Sequence, residues 1–321
     1  MILVTGGTGF LGSAVIKRLV EKGNAIIALK RESSSIPDSL KASSLIEWID
    51  ADITDYFALA DIFSRVTQVY HCAAKISYQK QDADQMLHVN VQGTQHIVNL
   101  SLEYKARLIH VSSIAALGTN KLGRPVDEED KWEYDINMSN YSLSKYKSEL
   151  EVWRGITEGL DAVIINPSVI MGVNPAKSGS AVIFDLVDKG IKIYPPGSVG
   201  IVDVDDVADI MILLMERTDI TAQRYVLNSE NISNKQLLTD IADLLGKKAP
   251  TIAAKPFMLQ LAWRVAKLLA KLKGKKPTLT KESAYAAAAK LAYSNAKIVK
   301  ETGYTFKPLA QTLQEIANTY S

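Results

Sequence analysis

The chain has 321 residues, more than one compact domain usually holds, so one large α/β unit or a principal domain with a smaller one appended is expected. With 47% hydrophobic and 22% charged residues it is no disordered or fibrous chain, and a net charge of +2 gives no global reason to expect nucleic acid as a partner. One cysteine, Cys72, and four histidines leave no internal disulfide and no structural zinc site of the usual spacing, so a reducing compartment, the cytoplasm, is the expected address and no metal is expected.

The opening Met1-Ile2-Leu3-Val4-Thr5-Gly6 reads as a first strand rather than a signal peptide. No apolar run reaches about 18 residues, so no transmembrane helix is expected. Short apolar runs recur at 2–4, 25–29, 68–71, 107–111 and 162–165, and segments 10–21, 86–104 and 142–158 carry apolar residues at helical spacing. That alternation predicts an α/β fold, a doubly wound parallel sheet covered on both faces.

After Pro167 the pattern changes to Gly/Pro-rich loops, 172–179 and 195–197, and then to a mostly helical last third. The expected division is a dinucleotide-binding domain over 1–166, to which 200–222 returns, and a smaller substrate-binding part over 167–199 and 223–321. Residues 255–300 hold eleven Lys and Arg and one acid, Glu282, around an amphipathic stretch. They read as a domain-packing helix with a solvated basic face, the alternative being peripheral contact of 255–276 with an anionic membrane.

Gly6, Gly9 and Gly12 stand between the first strand and a helical pattern opening at Phe10-Leu11. Glycine is needed there because the turn takes unusual dihedrals, a side chain would block a pyrophosphate, and the helix must pack closely on the strand. The helix N-terminus then turns free N–H groups toward the phosphates. This is the fingerprint of a Rossmann-type dinucleotide site. The second strand ends in Lys30-Arg31, where an acid would grip a ribose 2′-hydroxyl. Two cations suit a 2′-phosphate instead, which favours NADP, with NAD as the alternative.

Tyr141 and Lys145 are spaced i, i+4 on one helix face, where the ammonium stabilises a tyrosinate and tunes the phenol toward proton transfer. Ser112 and Ser113 follow the strand 107–111, at the carboxyl edge where an open parallel sheet presents ligands. One of the pair, Ser113 in the assignment adopted, is expected to hydrogen-bond the substrate oxygen, and one of the pair is expected to cap a turn.

The motifs run in order along the chain: Gly6 to Gly12, Asp52-Ile53, His71-Cys72-Ala73-Ala74, Asn90 to Thr94, Ser112-Ser113, Tyr141 to Lys145, Asn166 to Gly172, Val202 to Ala208 and Ala292 to Tyr304. Together they resemble the extended short-chain dehydrogenase/reductases, the NAD-dependent epimerase/dehydratase superfamily. The resemblance implies that Asp52 and Ile53 approach the adenine, that Ala73, Ala74, Lys75 and Asn90 line the cofactor, and that Pro167 and Ser168 border the nicotinamide. It also implies a homodimer through the helices around 90–104 and 142–158, with Ile97, Leu100, Leu150 and Trp153 on their outer faces or, alternatively, packed on the sheet.

Dehydratases of this kind carry Thr-Asp-Glu where this chain has Ser113-Ile114-Ala115, so dehydration is disfavoured. Asn166-Pro167 and Met171-Gly172-Val173 replace the Arg-Pro and Tyr-Gly-Pro usual in sugar epimerases. The chain is most similar to the dihydroflavonol reductase and 3β-hydroxysteroid dehydrogenase branch. The expected function is NADP(H)-dependent reduction of a small-molecule carbonyl, with Tyr141 as acid/base. The alternatives are an NAD-dependent epimerase of sugar nucleotides using the same Ser, Tyr and Lys, and a dinucleotide sensor without turnover.

Overall fold

A computed structural model describes residues 1–118, 123–135, 138–174, 181–272, 277 and 279–320. The expected loop at 172–179 and the basic stretch at 255–276 each lie partly outside the described residues. Six strands open the chain: β1 (Ile2–Thr5), β2 (Ile26–Lys30), β3 (Ile46–Asp50), β4 (Gln68–His71), β5 (Arg107–Val111) and β6 (Ala162–Pro167). They lie parallel in the order β6-β5-β4-β1-β2-β3. The strand order reverses between β1 and β4, and it is beside such a reversal that a doubly wound sheet opens a crevice at its carboxyl edge.

Every residue of β5 and β6 is buried, as continuous apolar runs in a two-sided parallel sheet require. Alternation along β1 sends Val4 to one face and Leu3 to the other. Val4 joins Ile16, Ile109, Val207 and Met211, while Leu3 joins Ile27, Phe63, Ile97 and Ile164. Each such side chain taken fully from water contributes about 1.5–3 kcal/mol.

On these faces lie α1 (Phe10–Glu21), α2 (Tyr56–Phe63), α3 (Ala83–Leu87), α4 (Gly93–Glu103) and α5 (Asn140–Thr157). The helical pattern expected over 86–104 is not continuous: a π-helical turn at His88–Gln92 separates α3 from α4. Of the four residues expected on a dimer face, Ile97 and Leu100 are fully buried and Trp153 packs half-buried against the core beneath α5. Only Leu150 of the four is exposed.

After β6 come β7 (Val169–Met171), α6 (Ala181–Asp188), β8 (Ile193–Tyr194) and β9 (Ser198–Asp203). The chain then rejoins the large sheet through α7 (Val204–Glu216), packed on α1, and β10 (Gln223–Leu227), the edge strand beside β6. The return thus runs to 227, beyond the expected 222, because Tyr225, Val226 and Leu227 are themselves core residues. Arg107, buried at the start of β5, clamps this return by donating to the carbonyls of Leu214, Arg217 and Ile220 at 2.9, 3.0 and 2.6 Å.

The remaining elements are β11 (Glu230–Ser233), α8 (Asn234–Leu244), β12 (Ile252–Ala253), α9 (Pro256–Leu272), α10 (Lys281–Ala288), α11 (Ala296–Thr302) and α12 (Leu309–Ala317). β7, β9 and β11 form a second sheet over a separate apolar core of Met171, Phe184, Ile241 and Leu313. Asp203 joins the two bodies: it caps α7 through the Asp205 N–H at 2.8 Å and accepts from Thr312 of α12 at 2.6 Å. No helix among the described residues is long and apolar enough to cross a membrane.

Candidate active site

The glycine loop follows β1. Gly6 takes φ +68°, and a Cβ there would stand 2.9 Å from the backbone of Ala73 in the loop after β4. A Cβ on Gly12 would stand 2.2 Å from the Gly6 carbonyl oxygen, so α1 can enter the crevice this closely only with glycine in its first turn. Gly9 is the N-cap of α1 and offers no side-chain acceptor, which leaves the N–H groups of Phe10, Leu11 and Gly12 for a ligand.

A one-way chain of hydrogen bonds holds the opposite wall. The Ala73 N–H donates to Thr5 Oγ1 at 3.1 Å, Thr5 Oγ1 lies 2.7 Å from His71 Nδ1, His71 Nε2 lies 3.0 Å from Thr94 Oγ1, and Thr94 donates to the Asn90 carbonyl at 2.6 Å. Those ends assign the proton of a neutral His71 to Nε2. Burial holds its pKa down at about 3, so the ring stays neutral.

Asn90 lies, buried, in the π-helical turn. Its Oδ1 accepts from the Lys75 N–H at 2.7 Å, and its Nδ2 donates to the Lys75 carbonyl at 2.9 Å and to Ser144 of α5 at 3.0 Å. Asn90 therefore acts on the crevice by fixing the Ala73-Ala74-Lys75 loop against α5.

α5 starts at Ser139, whose hydroxyl accepts from the Ser142 N–H at 3.1 Å. Trp132 stacks on Tyr146 at 4.2 Å and donates to Ser142, and Ser142 donates to the Ala115 carbonyl at 2.6 Å. These contacts bring the first turn of α5 to the carboxyl edge of β5. There the Ser113 hydroxyl lies close enough to the phenol of Tyr141 to hold its pKa down, with the ring of Tyr78 at 5.9 Å.

Lys145, one turn on, is buried and donates to the Val111 carbonyl at 2.9 Å. Contrary to the lowering expected from Lys145, burial pushes the phenol of Tyr141 up to about 12, opposed only by the Ser113 hydroxyl, because the Lys145 ammonium is turned to the Val111 carbonyl. Burial brings Lys145 down to about 8, opposed by the Cys72 thiol and by Glu149.

The structure also separates the two serines. Ser112 is buried and donates to Glu149 Oε2 at 2.6 Å, so it faces away from Tyr141. Glu149 further accepts from Asn166 Nδ2 at 2.8 Å and from Arg224 at 3.0 Å. Sequence reasoning passed over Glu149 and Arg224, although Glu149 continues the i, i+4 ladder of Tyr141 and Lys145.

At the far end of the crevice Lys30 is ion-paired with Asp50, its neighbour across β2 and β3. Arg31 is exposed and has no partner among the described residues, so the cationic end of the crevice rests on it. Asp52 accepts from the Thr54 N–H and hydroxyl at 2.9 and 2.7 Å, and Ile53 lies against Gly93. Ser168 Oγ and Asn166 Oδ1, at and just past the end of β6, are buried without a hydrogen-bond partner among the described residues.

Residues 2–228 match the model of the NAD dependent epimerase/dehydratase family. The chain belongs to this family. It is an NAD(P)-dependent oxidoreductase of the extended short-chain dehydrogenase/reductase type. A putative dihydroflavonol 4-reductase of Synechocystis sp. is 31% identical over 99% of this chain and 93% of its own length. An anthocyanidin reductase of Arabidopsis thaliana is 28% identical, over 77% of this chain and 80% of its own. The crystal structure of gox2253 superposes with a TM-score of 0.84 at 32% identity, covering 100% of this chain and 97% of that one.

Three features of the crevice fit the NAD(P) this family binds. The uncapped first turn of α1 suits a pyrophosphate, Arg31 suits the ribose end, and the unpartnered Ser168 Oγ and Asn166 Oδ1 suit a polar ring substituent at the other.

Proposed function

We propose that this family member reduces the carbonyl group of a small molecule with NADPH, through Ser113, Tyr141 and Lys145. One arrangement carries the reading: the first turn of α5, tied by Ser142 to the Ala115 carbonyl, sets Tyr141 by Ser113 at the carboxyl edge of β5, with Lys145 one helical turn behind on the Val111 carbonyl. When bound, the reduced nicotinamide supplies the hydride to the carbonyl carbon.

Ser113 orients the carbonyl oxygen. The Tyr141 O–H gives that oxygen its proton, so that hydride and proton together yield the alcohol. Lys145 holds the ribose and stabilises the tyrosinate left behind. A phenol with its pKa pushed up to about 12 enters as an acid, which supports reduction as the working direction.

Arg31, exposed at the end of β2 where an acid would select NAD, supports NADPH as the coenzyme. Gly6, Gly9, Phe10, Leu11 and Gly12 would hold the pyrophosphate, Ala73, Ala74 and Lys75 the inner wall, and Pro167 and Ser168 the nicotinamide. The deciding experiment purifies the protein, identifies any retained nucleotide, and follows NADPH oxidation over a panel of ketones and aldehydes. Exchangeable NADPH with turnover supports the reading, whereas tightly retained NAD with turnover of sugar nucleotides would replace it with epimerisation.

A further inference from the structure

The helix α9 is anchored on one side and bare on the other. Ala270 is buried and Trp263 half-buried, whereas Phe257, Leu261 and Leu268 are 65%, 59% and 59% exposed, with Val265 and Leu269 exposed beside them. Spacings of four, four and three residues from 257 through 261 and 265 to 268 place these side chains on one stripe. Exposed large apolar residues scattered singly need no account, but a continuous stripe of them does.

The charge around the stripe is of one sign. Lys255, just before α9, and Arg264 and Lys267 on it are exposed, and no Asp or Glu stands between Asp243 and Glu282 although the whole chain is nearly neutral. Arg264 lies over the Trp263 ring at 4.6 Å and donates to the Gln260 carbonyl at 2.8 Å, and no carboxylate among the described residues pairs with it. A second copy docking on this stripe would bring its own cations against these. An anionic surface with an apolar interior matches both features at once.

We infer that α9 docks on an anionic lipid bilayer, with Phe257, Leu261, Val265 and Leu268 in the acyl boundary and Arg264 and Lys267 at the headgroups. Pro277, beyond the end of α9, accepts from Gln79 Nε2 at 2.6 Å, next to Tyr78, whose ring borders Tyr141. This inference stands apart from the reductase reading, because its test measures binding alone.

The test is co-sedimentation of the whole protein with vesicles of phosphatidylcholine, alone or mixed with phosphatidylglycerol. The native protein is expected to sediment with the mixed vesicles and not with the neutral ones. Leu261→Asp with Leu268→Asp, and separately Arg264→Gln with Lys267→Gln, are expected to weaken binding about tenfold or more while leaving the circular dichroism spectrum and NADPH affinity unchanged. No sedimentation of the native protein with mixed vesicles at low salt would overturn the inference. So would undiminished binding of the Leu261→Asp, Leu268→Asp variant, or a dimer by light scattering that this variant dissolves without any vesicle binding.

Discussion

Ser113 and Ala115 are held together at the end of β5: the Ser113 hydroxyl oxygen accepts from the Ala115 N–H at 3.1 Å, capping a short turn, and the same hydroxyl holds down the pKa of the Tyr141 phenol. The cap fixes the rotamer, so the hydroxyl is aimed before any substrate arrives. Ser112, its neighbour, spends its proton on Glu149.

The two serines should therefore separate on mutation. Ser113→Ala removes a donor aimed at the substrate oxygen and should lower kcat by about 10²–10³-fold, with a stability loss of about 1 kcal/mol from the lost cap. Ser112→Ala should leave kcat within a few-fold and cost about 1–3 kcal/mol by leaving a buried carboxylate short of a donor. Steady-state kinetics beside urea denaturation read both, and equal losses of kcat would refute the separation.

Lys145 should set the alkaline limb of the pH profile. Its pKa is held down at about 8, so it is charged below that pH and neutral above, whereas Tyr141 keeps its proton until about 12. The kcat/KM for carbonyl reduction should accordingly fall as pH rises through about 8. Glu149 favours the charged form of Lys145, so Glu149→Gln should move the limb to lower pH. That variant also breaks the buried pair with Arg224, at a cost of about 3 kcal/mol. A limb that stays in place in a folded Glu149→Gln protein would show that another group titrates there.

Coenzyme choice should turn on Arg31. With Lys30 held by Asp50, Arg31→Asp removes the free cation at the end of β2 and should weaken NADPH binding by about 1.5–3 kcal/mol while changing NADH binding much less. Fluorescence titration with both coenzymes checks this. Equal affinity of the native protein for the two would contradict the role given to Arg31.

The glycine loop makes a structural prediction of its own. A methyl group at Gly12 would meet the Gly6 carbonyl at 2.2 Å, and backbone cannot step aside as a flexible side chain can. Gly12→Ala should destabilise by about 1–3 kcal/mol and weaken coenzyme binding by displacing α1. A variant with native melting temperature and native affinity would mean that the loop is looser than its contacts show.

What the sequence made legible was local. The glycine spacing, the Tyr141 and Lys145 ladder and the alternation of strand and helix all lie within one or two turns of chain, where periodicity and dihedral demands are direct. What it hid depends on partners far along the chain. Lys30 and Arg31 read alike until the register of β2 against β3 sets Lys30 opposite Asp50. Ile97, Leu100 and Leu150 serve equally as outer-face or sheet-packing residues until the packing of α4 on the sheet buries the first two. The π-helical turn at Asn90 interrupts no apolar spacing, because the amide that needs it bonds to Lys75 and Ser144 on other elements.

The most direct test of the account is Tyr141→Phe, which deletes one oxygen and keeps the ring beside Tyr78. Proton delivery by a positioned group is worth about 10²–10⁴-fold, so kcat at saturating substrate should fall by that much or more, with NADPH affinity and melting temperature little changed. A Tyr141→Phe protein that turns over a carbonyl substrate at the native rate would contradict the assignment and leave Tyr141 a packing residue of α5.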